Sequence, residues 1–140
     1  MTLLYLVKQV EQAVRNHLEQ AVGGAGITAL QYTALTVLER HPGMTAASLA
    51  RHSFVRAQTI AQMITVLLER GLIERQPDPA SGRQYLISLS AAGQRVLDDL
   101  REPVAEIEVR MAAGLEPAQV AAAREALRSF RGSLECPGRS

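Results

Sequence analysis

The chain has 140 residues, a net charge of +1 and 47% hydrophobic side chains, the length and balance of one soluble globular domain with a real core. No run of about 18 apolar residues occurs, which excludes a helical membrane span. The apolar start, Met1 to Lys8, lacks a basic leader and a small-residue cleavage site, so a cytoplasmic protein is expected.

From Thr2 to about Val22, Leu3, Val7, Val10, Val14 and Leu18 recur at helical spacing and predict one apolar stripe. Gly23-Gly24-Ala25-Gly26 ends that helix. Thr28 is the expected cap of a second helix with Leu30, Ala34, Leu35 and Leu38 on its apolar side, stopped near His41-Pro42-Gly43. Thr45-Ala46-Ala47-Ser48 opens a short third helix around Leu49.

Between Arg56 and Arg70 a fourth helix carries Ile60, Met63, Ile64, Leu67 and Leu68 on one side and Ala57, Gln58, Ala61, Gln62 and Thr65 on the other. Small residues allow close approach to a groove, and Gln and Thr can bond base edges. The competing reading is a helix packed against another protein surface. Gly71 ends this helix. Leu72-Ile73-Glu74-Arg75 and Gln84 to Leu89 then read as two strands joined by the loop Pro77-Asp78-Pro79-Ala80-Ser81-Gly82-Arg83.

Ser90 caps a long helix from about Ala91 to Ala113, with a stripe of Val96, Leu97, Leu100, Val104, Ile107 and Met111 and a kink expected at Pro103. Pro117 starts a last helix with Val120, Ala123, Leu127, Phe130 and Leu134 inward, and the tail from Cys136 is expected to fray.

Helix, turn, helix and hairpin in this order outline a winged helix-turn-helix. The expected fold is mainly α, an α+β winged helix with a two-stranded wing. Residues 1–140 form one domain, with 28–90 the DNA-binding part and 1–22 and 91–134 the dimerisation helices. The end helices have more apolar stripe than a module of roughly 50 residues can cover, so a homodimer is expected. Charge points the same way: from Arg40 to Arg83 there are six basic and three acidic residues, against nine and eleven elsewhere.

Leu49-Ala50-Arg51, Thr59-Ile60 and Leu68-Glu69-Arg70-Gly71-Leu72-Ile73-Glu74-Arg75, followed by the Pro77 to Arg83 loop and Leu89-Ser90-Ala91-Ala92-Gly93, together resemble the MarR family of bacterial transcription regulators over nearly the whole chain. The resemblance implies an obligate dimer that binds a pseudopalindromic operator in double-stranded DNA, usually as a repressor. It also implies a small lipophilic or phenolic effector bound between the dimer helices and the winged module. The chain departs from the family twice. Ser81 stands where an Asp often braces the wing arginine, leaving Asp78 as a substitute only if the loop folds back. Arg56 stands where the recognition helix usually starts with a Ser or Thr cap.

The residues expected at DNA are Thr45, Ser48, Arg56, Ala57, Gln58, Thr59, Gln62, Thr65, Arg83 and Gln84. Arg83 is read as a backbone or minor-groove contact against the alternative of a solvated loop arginine. Thr59 has the alternative of bonding its own helix. Tyr5, His17 and Tyr32 suit an effector pocket and suit an ordinary interface equally. Cys136, alone in the tail, reads as an incidental thiol and not a redox sensor. No metal-ligand spacing, cofactor loop or catalytic constellation is present, so neither a metal, a cofactor nor an enzyme is expected. The rival function is a winged-helix module that binds protein, which salt dependence separates from DNA binding.

Overall fold

Three threonines start three of the helices. In the computed structural model, which describes residues 1–135, Thr2 Oγ1 accepts from the Tyr5 N–H at 3.1 Å and opens α1 (Leu3–Gly23). Thr28 and Gln31 exchange hydrogen bonds in a capping box that opens α2 (Ala29–Arg40). Thr45 Oγ1 accepts from the Ser48 N–H at 3.2 Å and opens α3 (Ala46–His52). The next helix, α4 (Ala57–Glu69), has Arg56 at its cap position and no side-chain cap bond. Such a start forgoes about 1 kcal/mol of helix stability.

The core lies where these helices meet. Val22, Leu35, Leu38, Leu49, Ile60 and Leu67 are fully buried, with Met44, Leu72, Ile73, Ile87, Leu97 and Leu100 around them. Each fully buried Leu or Ile contributes roughly 2–3 kcal/mol relative to exposure. Leu30, expected inward, is 45% exposed; Ala29 takes the buried position at that end of α2.

The hairpin is longer than its periodicity indicated. Strands β1 (Ile73–Asp78) and β2 (Ser81–Leu89) pair antiparallel from Ile73 opposite Leu89 to Pro77 opposite Tyr85, and Asp78 then faces Ser81. The loop expected from Pro77 to Arg83 therefore shrinks to a turn at Pro79 and Ala80. A two-stranded sheet is all edge and tolerates a proline, and the Asp78 carboxylate closes the turn by accepting from the Ala80 N–H at 2.9 Å. The pairing slips between Pro77 and Asp78, leaving Gly82, Arg83 and Gln84 as a bulge on β2. At its other end the hairpin is anchored by a bridge between Ile87 and Met44, with N–H to carbonyl distances of 2.7 and 3.0 Å.

α5 (Ala91–Ala112) starts against the turn between α4 and β1. Ser90 donates through Oγ to the Gly71 carbonyl at 2.6 Å and through its N–H to the Leu72 carbonyl at 3.1 Å, while Ser90 Oγ accepts from the Gly93 N–H at 3.0 Å. A Cβ on Gly93 would stand 2.2 Å from the Leu72 carbonyl oxygen and 2.7 Å from Leu89 Cδ1. Further along α5, Glu39 of α2 accepts from Gln94 and from Arg101, both at 2.6 Å, and Asp98 accepts from the same two donors. These bonds, Gln94's first, hold the Glu39 and Asp98 carboxyls below their ordinary pKa values.

The described residues pack as two compact units, Met1–Val104 and a second that starts at Ala105. α5 continues through Pro103 without a break. In the second unit α6 (Pro117–Glu135) has no buried residue: Val120 and Phe130 are half-buried, and Ala123, Leu127 and Leu134 are exposed. The stripe expected to face inward is uncovered. In the first unit, Leu3, Leu4, Tyr5, Leu6, Val7 and Val10 of α1 are likewise exposed. Cys136 lies outside the described residues.

Gly93→Ala should lower the unfolding free energy by about 2 kcal/mol or more in urea denaturation, because the backbone of Leu72 has to yield. The network on Glu39 predicts an acid dependence. Carboxyls with lowered pKa values contribute stability that is present above about pH 5 and is lost as the pH falls through about 4 and below. Arg101→Leu should make the stability profile shallower over that range in a pH series of urea melts.

Candidate nucleic-acid interface

α4 divides as its sequence indicated. Ile60, Met63 and Leu67 are buried, Ile64 and Leu68 are half-buried, and Ala57, Gln58, Ala61, Gln62 and Thr65 are exposed. The exposed face contains no carboxylate before Glu69. Arg56 lies exposed at the head of this face and makes no side-chain cap bond, which leaves its guanidinium available for an anion. Thr59 is half-buried. The helix-bonded hydroxyl is that of Thr65, which donates to the Ala61 carbonyl at 3.2 Å; its oxygen can still accept from a base or a water.

Thr45, Arg83 and Gln84, far apart in sequence, come together. They line one side groove of about 340 Å³ with Ala46, Ala47, Ile64, Arg75, Tyr85 and Ile87. Ser48, one turn into α3, has its N–H taken by Thr45 and its carbonyl within 2.8 Å of His52 Nδ1. Asp78 makes no salt bridge to Arg83 among the described residues; its carboxylate accepts from the Ala80 N–H. Arg83 has no salt bridge among the described residues, so nothing neutralises the charge that the bulge carries outward.

Sequence reasoning missed Arg75 and Tyr85. The Arg75 guanidinium lies 4.7 Å from the centre of the Tyr85 ring, a cation–π contact across the hairpin. It stiffens the wing below Arg83 and adds a second arginine to the groove. The diagonal placement of a basic and an aromatic residue on paired strands was the available signal. Phe54 was missed too. It sits in the turn before α4 at φ +61° with 84% of its surface exposed, a conformation costing a bulky L-residue roughly 1–2 kcal/mol.

A second groove, of about 560 Å³, runs beside the start of α4. Val14, Arg15, Leu18, Leu30, Phe54, Val55, Arg56 and Thr59 contribute to its walls, as does Ser53. Ser53 Oγ is buried with no hydrogen-bond partner among the described residues. Arg15 is engaged by Glu11, at 2.6 to 3.0 Å. None of Tyr5, His17 and Tyr32 lines either groove: Tyr5 is exposed, His17 half-buried, and Tyr32 packs against the core, where burial raises its phenol pKa. Among the described residues, no group of three or more His, Cys, Asp or Glu is placed to hold a metal ion, and no helix is long and apolar enough to cross a membrane.

Residues 25–84, which span α2, α3, α4 and most of the wing, match the family model described as the MarR family. The winged helix-turn-helix part of the chain is thus similar to that of the MarR family of transcription regulators. A MarR-family regulator from Rhodococcus sp. RHA1 is 25% identical and superposes with a TM-score of 0.81, covering 90% of this chain and 89% of that one. An HTH-type transcriptional repressor of Mycobacterium tuberculosis is 28% identical over 115 residues, 82% of this chain and 83% of the relative. A mutant of Escherichia coli MarR complexed with operator DNA shares the fold, with a TM-score of 0.83 at 22% identity over 91% of this chain and 92% of that one. The MarR fold thus accounts for the six helices and the two-stranded wing.

The strained turn yields a prediction. Phe54→Gly should raise the unfolding free energy by about 1 kcal/mol, since the exposed ring loses little packing and the positive φ becomes unstrained; thermal melts check it.

Proposed function

We propose that this protein is a MarR-family regulator, a ligand-responsive repressor that acts in the cytoplasm and binds a pseudopalindromic operator as a homodimer. Residues 28–90 are the DNA-binding part, and 1–22 with 91–134 the dimerisation part. The observation that carries the proposal is the outer face of α4, where Ala57, Gln58, Ala61, Gln62 and Thr65 stand exposed without a carboxylate, with Arg56 at the head. This face enters the major groove, Gln58 and Gln62 bond base edges, and Arg56 clamps a phosphate. The wing, stiffened below its bulge by Arg75 and Tyr85, sets Arg83 against the adjacent backbone or minor groove, and Thr45, Ser48 and Gln84 lie on the phosphate side.

The dimer is supported by the uncovered apolar surface: Leu3, Leu4, Leu6, Val7 and Val10 on α1, and Leu127 and Leu134 on α6. A second copy covers it, and a two-fold pair of α4 helices meets successive major grooves about 34–36 Å apart. The relative in M. tuberculosis carries the name repressor, and the E. coli protein was crystallised on operator DNA.

The effector reading attaches to the groove beside α4. Val14, Leu18, Leu30, Phe54 and Val55 give it apolar walls for a small phenolic or other lipophilic compound, and Ser53 and Arg56 supply polar groups beside the Glu11–Arg15 pair and Glu19 at its rim. A ligand seated there presses on the start of α4 and lowers operator affinity by its differential affinity for the two arrangements.

Selection of duplexes from a random library should recover an inverted repeat, bound with an affinity that falls steeply with salt. Gln62→Glu should abolish binding to that repeat while sedimentation still shows a dimer at micromolar concentration. Unchanged affinity removes α4 from the interface, and a stable wild-type monomer removes the dimer.

A further inference from the structure

The far end of α4 is held by a contact that base reading does not itself require. Arg70, the C-cap residue of α4, donates from Nη1 to the Gly26 carbonyl at 2.6 Å and from Nη2 to the Ala25 carbonyl at 3.3 Å. Both carbonyls belong to the turn between α1 and α2. Among the side-chain hydrogen bonds of the described residues, these two alone join α4 to that segment.

The turn is a firm anchor. The Ala25 N–H donates to the Val22 carbonyl and the Gly26 N–H to the Gly23 carbonyl, each at 3.0 Å. Val22 and Ile27 on either side are buried in the core, and Glu19 of α1 accepts from the Ala29 N–H at 3.1 Å. Gly26 lies at φ +74°, and a Cβ on it would stand 3.4 Å from Arg70 Nη2. The turn thus links the end of α1 to the start of α2, and the guanidinium links both to the end of α4.

We propose that Arg70 is a latch that fixes the orientation of α4 against the α1–α2 turn. It is a positioning residue for DNA reading. A planar guanidinium suits two neighbouring carbonyls, whereas an ammonium keeps the charge without the fork. The same charge also complements the negative end of the α4 dipole, so a lysine separates the two effects. The inference rests on the reading of α4 as the DNA-reading helix.

The test compares the wild type with Arg70→Lys, Arg70→Gln and Arg70→Ala on the selected inverted repeat and on a scrambled duplex over a salt series. Amide hydrogen exchange is followed over residues 23–29 and 66–72. Arg70→Gln and Arg70→Ala should lose about tenfold in affinity for the inverted repeat and little for the scrambled duplex. The salt slope should stay unchanged, and exchange should accelerate in both segments. Arg70→Lys should recover only part of the loss. A salt slope lowered by about one, with both duplexes weakened equally, makes Arg70 a phosphate contact and overturns the latch. Full rescue by lysine makes it a dipole partner, and a lowered melting temperature with unchanged discrimination makes it merely structural; either result overturns the proposal. If the wild type itself selects no duplex, the DNA reading has failed and the positioning role falls with it.

Discussion

The close approach of α5 to the Leu72 carbonyl organises the first unit. At that point the end of α4, the base of the wing and the start of α5 occupy so little space that only a glycine fits at position 93. Ser90 uses its hydroxyl and its N–H on the carbonyls of Gly71 and Leu72, so the turn after α4 gains the partners that a helix end otherwise lacks. The direction in which α5 leaves the module, and the angle at which the wing leaves α4, are set by the same few atoms. The Glu39, Gln94, Asp98 and Arg101 cluster then holds α5 against α2 one to three turns later.

Around this junction, stability and readout are divided between different kinds of residue. The threonine caps and the buried leucines hold the scaffold. The outer face of α4 contributes almost nothing to it: its side chains are small or uncharged, its first turn lacks a cap, and the turn before it contains a strained phenylalanine. Local rules of helix stability are broken at one place in the module, and that place is the one aimed at DNA in the proposed function.

Much of this was legible in the sequence because it depends on local chemistry. Thr28 and Thr45 cap helices for reasons contained within three residues, and the two faces of α4 follow from a period of 3.6. The Leu-Ser-x-x-Gly segment at Leu89 to Gly93 announced the start of α5, although not the steric reason for its glycine. What stayed hidden depends on partners distant in the chain. Leu30 has helical spacing for the core, yet α2 is rotated so that Ala29 is buried in its place. Arg70 lies forty-four residues from Gly26. Periodicity has no bearing on where a hairpin slips, so the bulge at Gly82 to Gln84 and the meeting of Thr45, Arg75 and Arg83 in one groove emerge only in three dimensions.

The slip in the wing separates two jobs that a regular hairpin would couple. Below it, every residue from Ile73 to Pro77 has a fixed partner, and that ladder is bolted to Met44 and to the start of α5. Above it, three residues of β2 answer to no partner on β1. Residues can therefore be added or removed at the tip without shifting the register at the base. Among descendants of such a sequence, the reach of the wing is free to diverge while the scaffold that carries it stays the same.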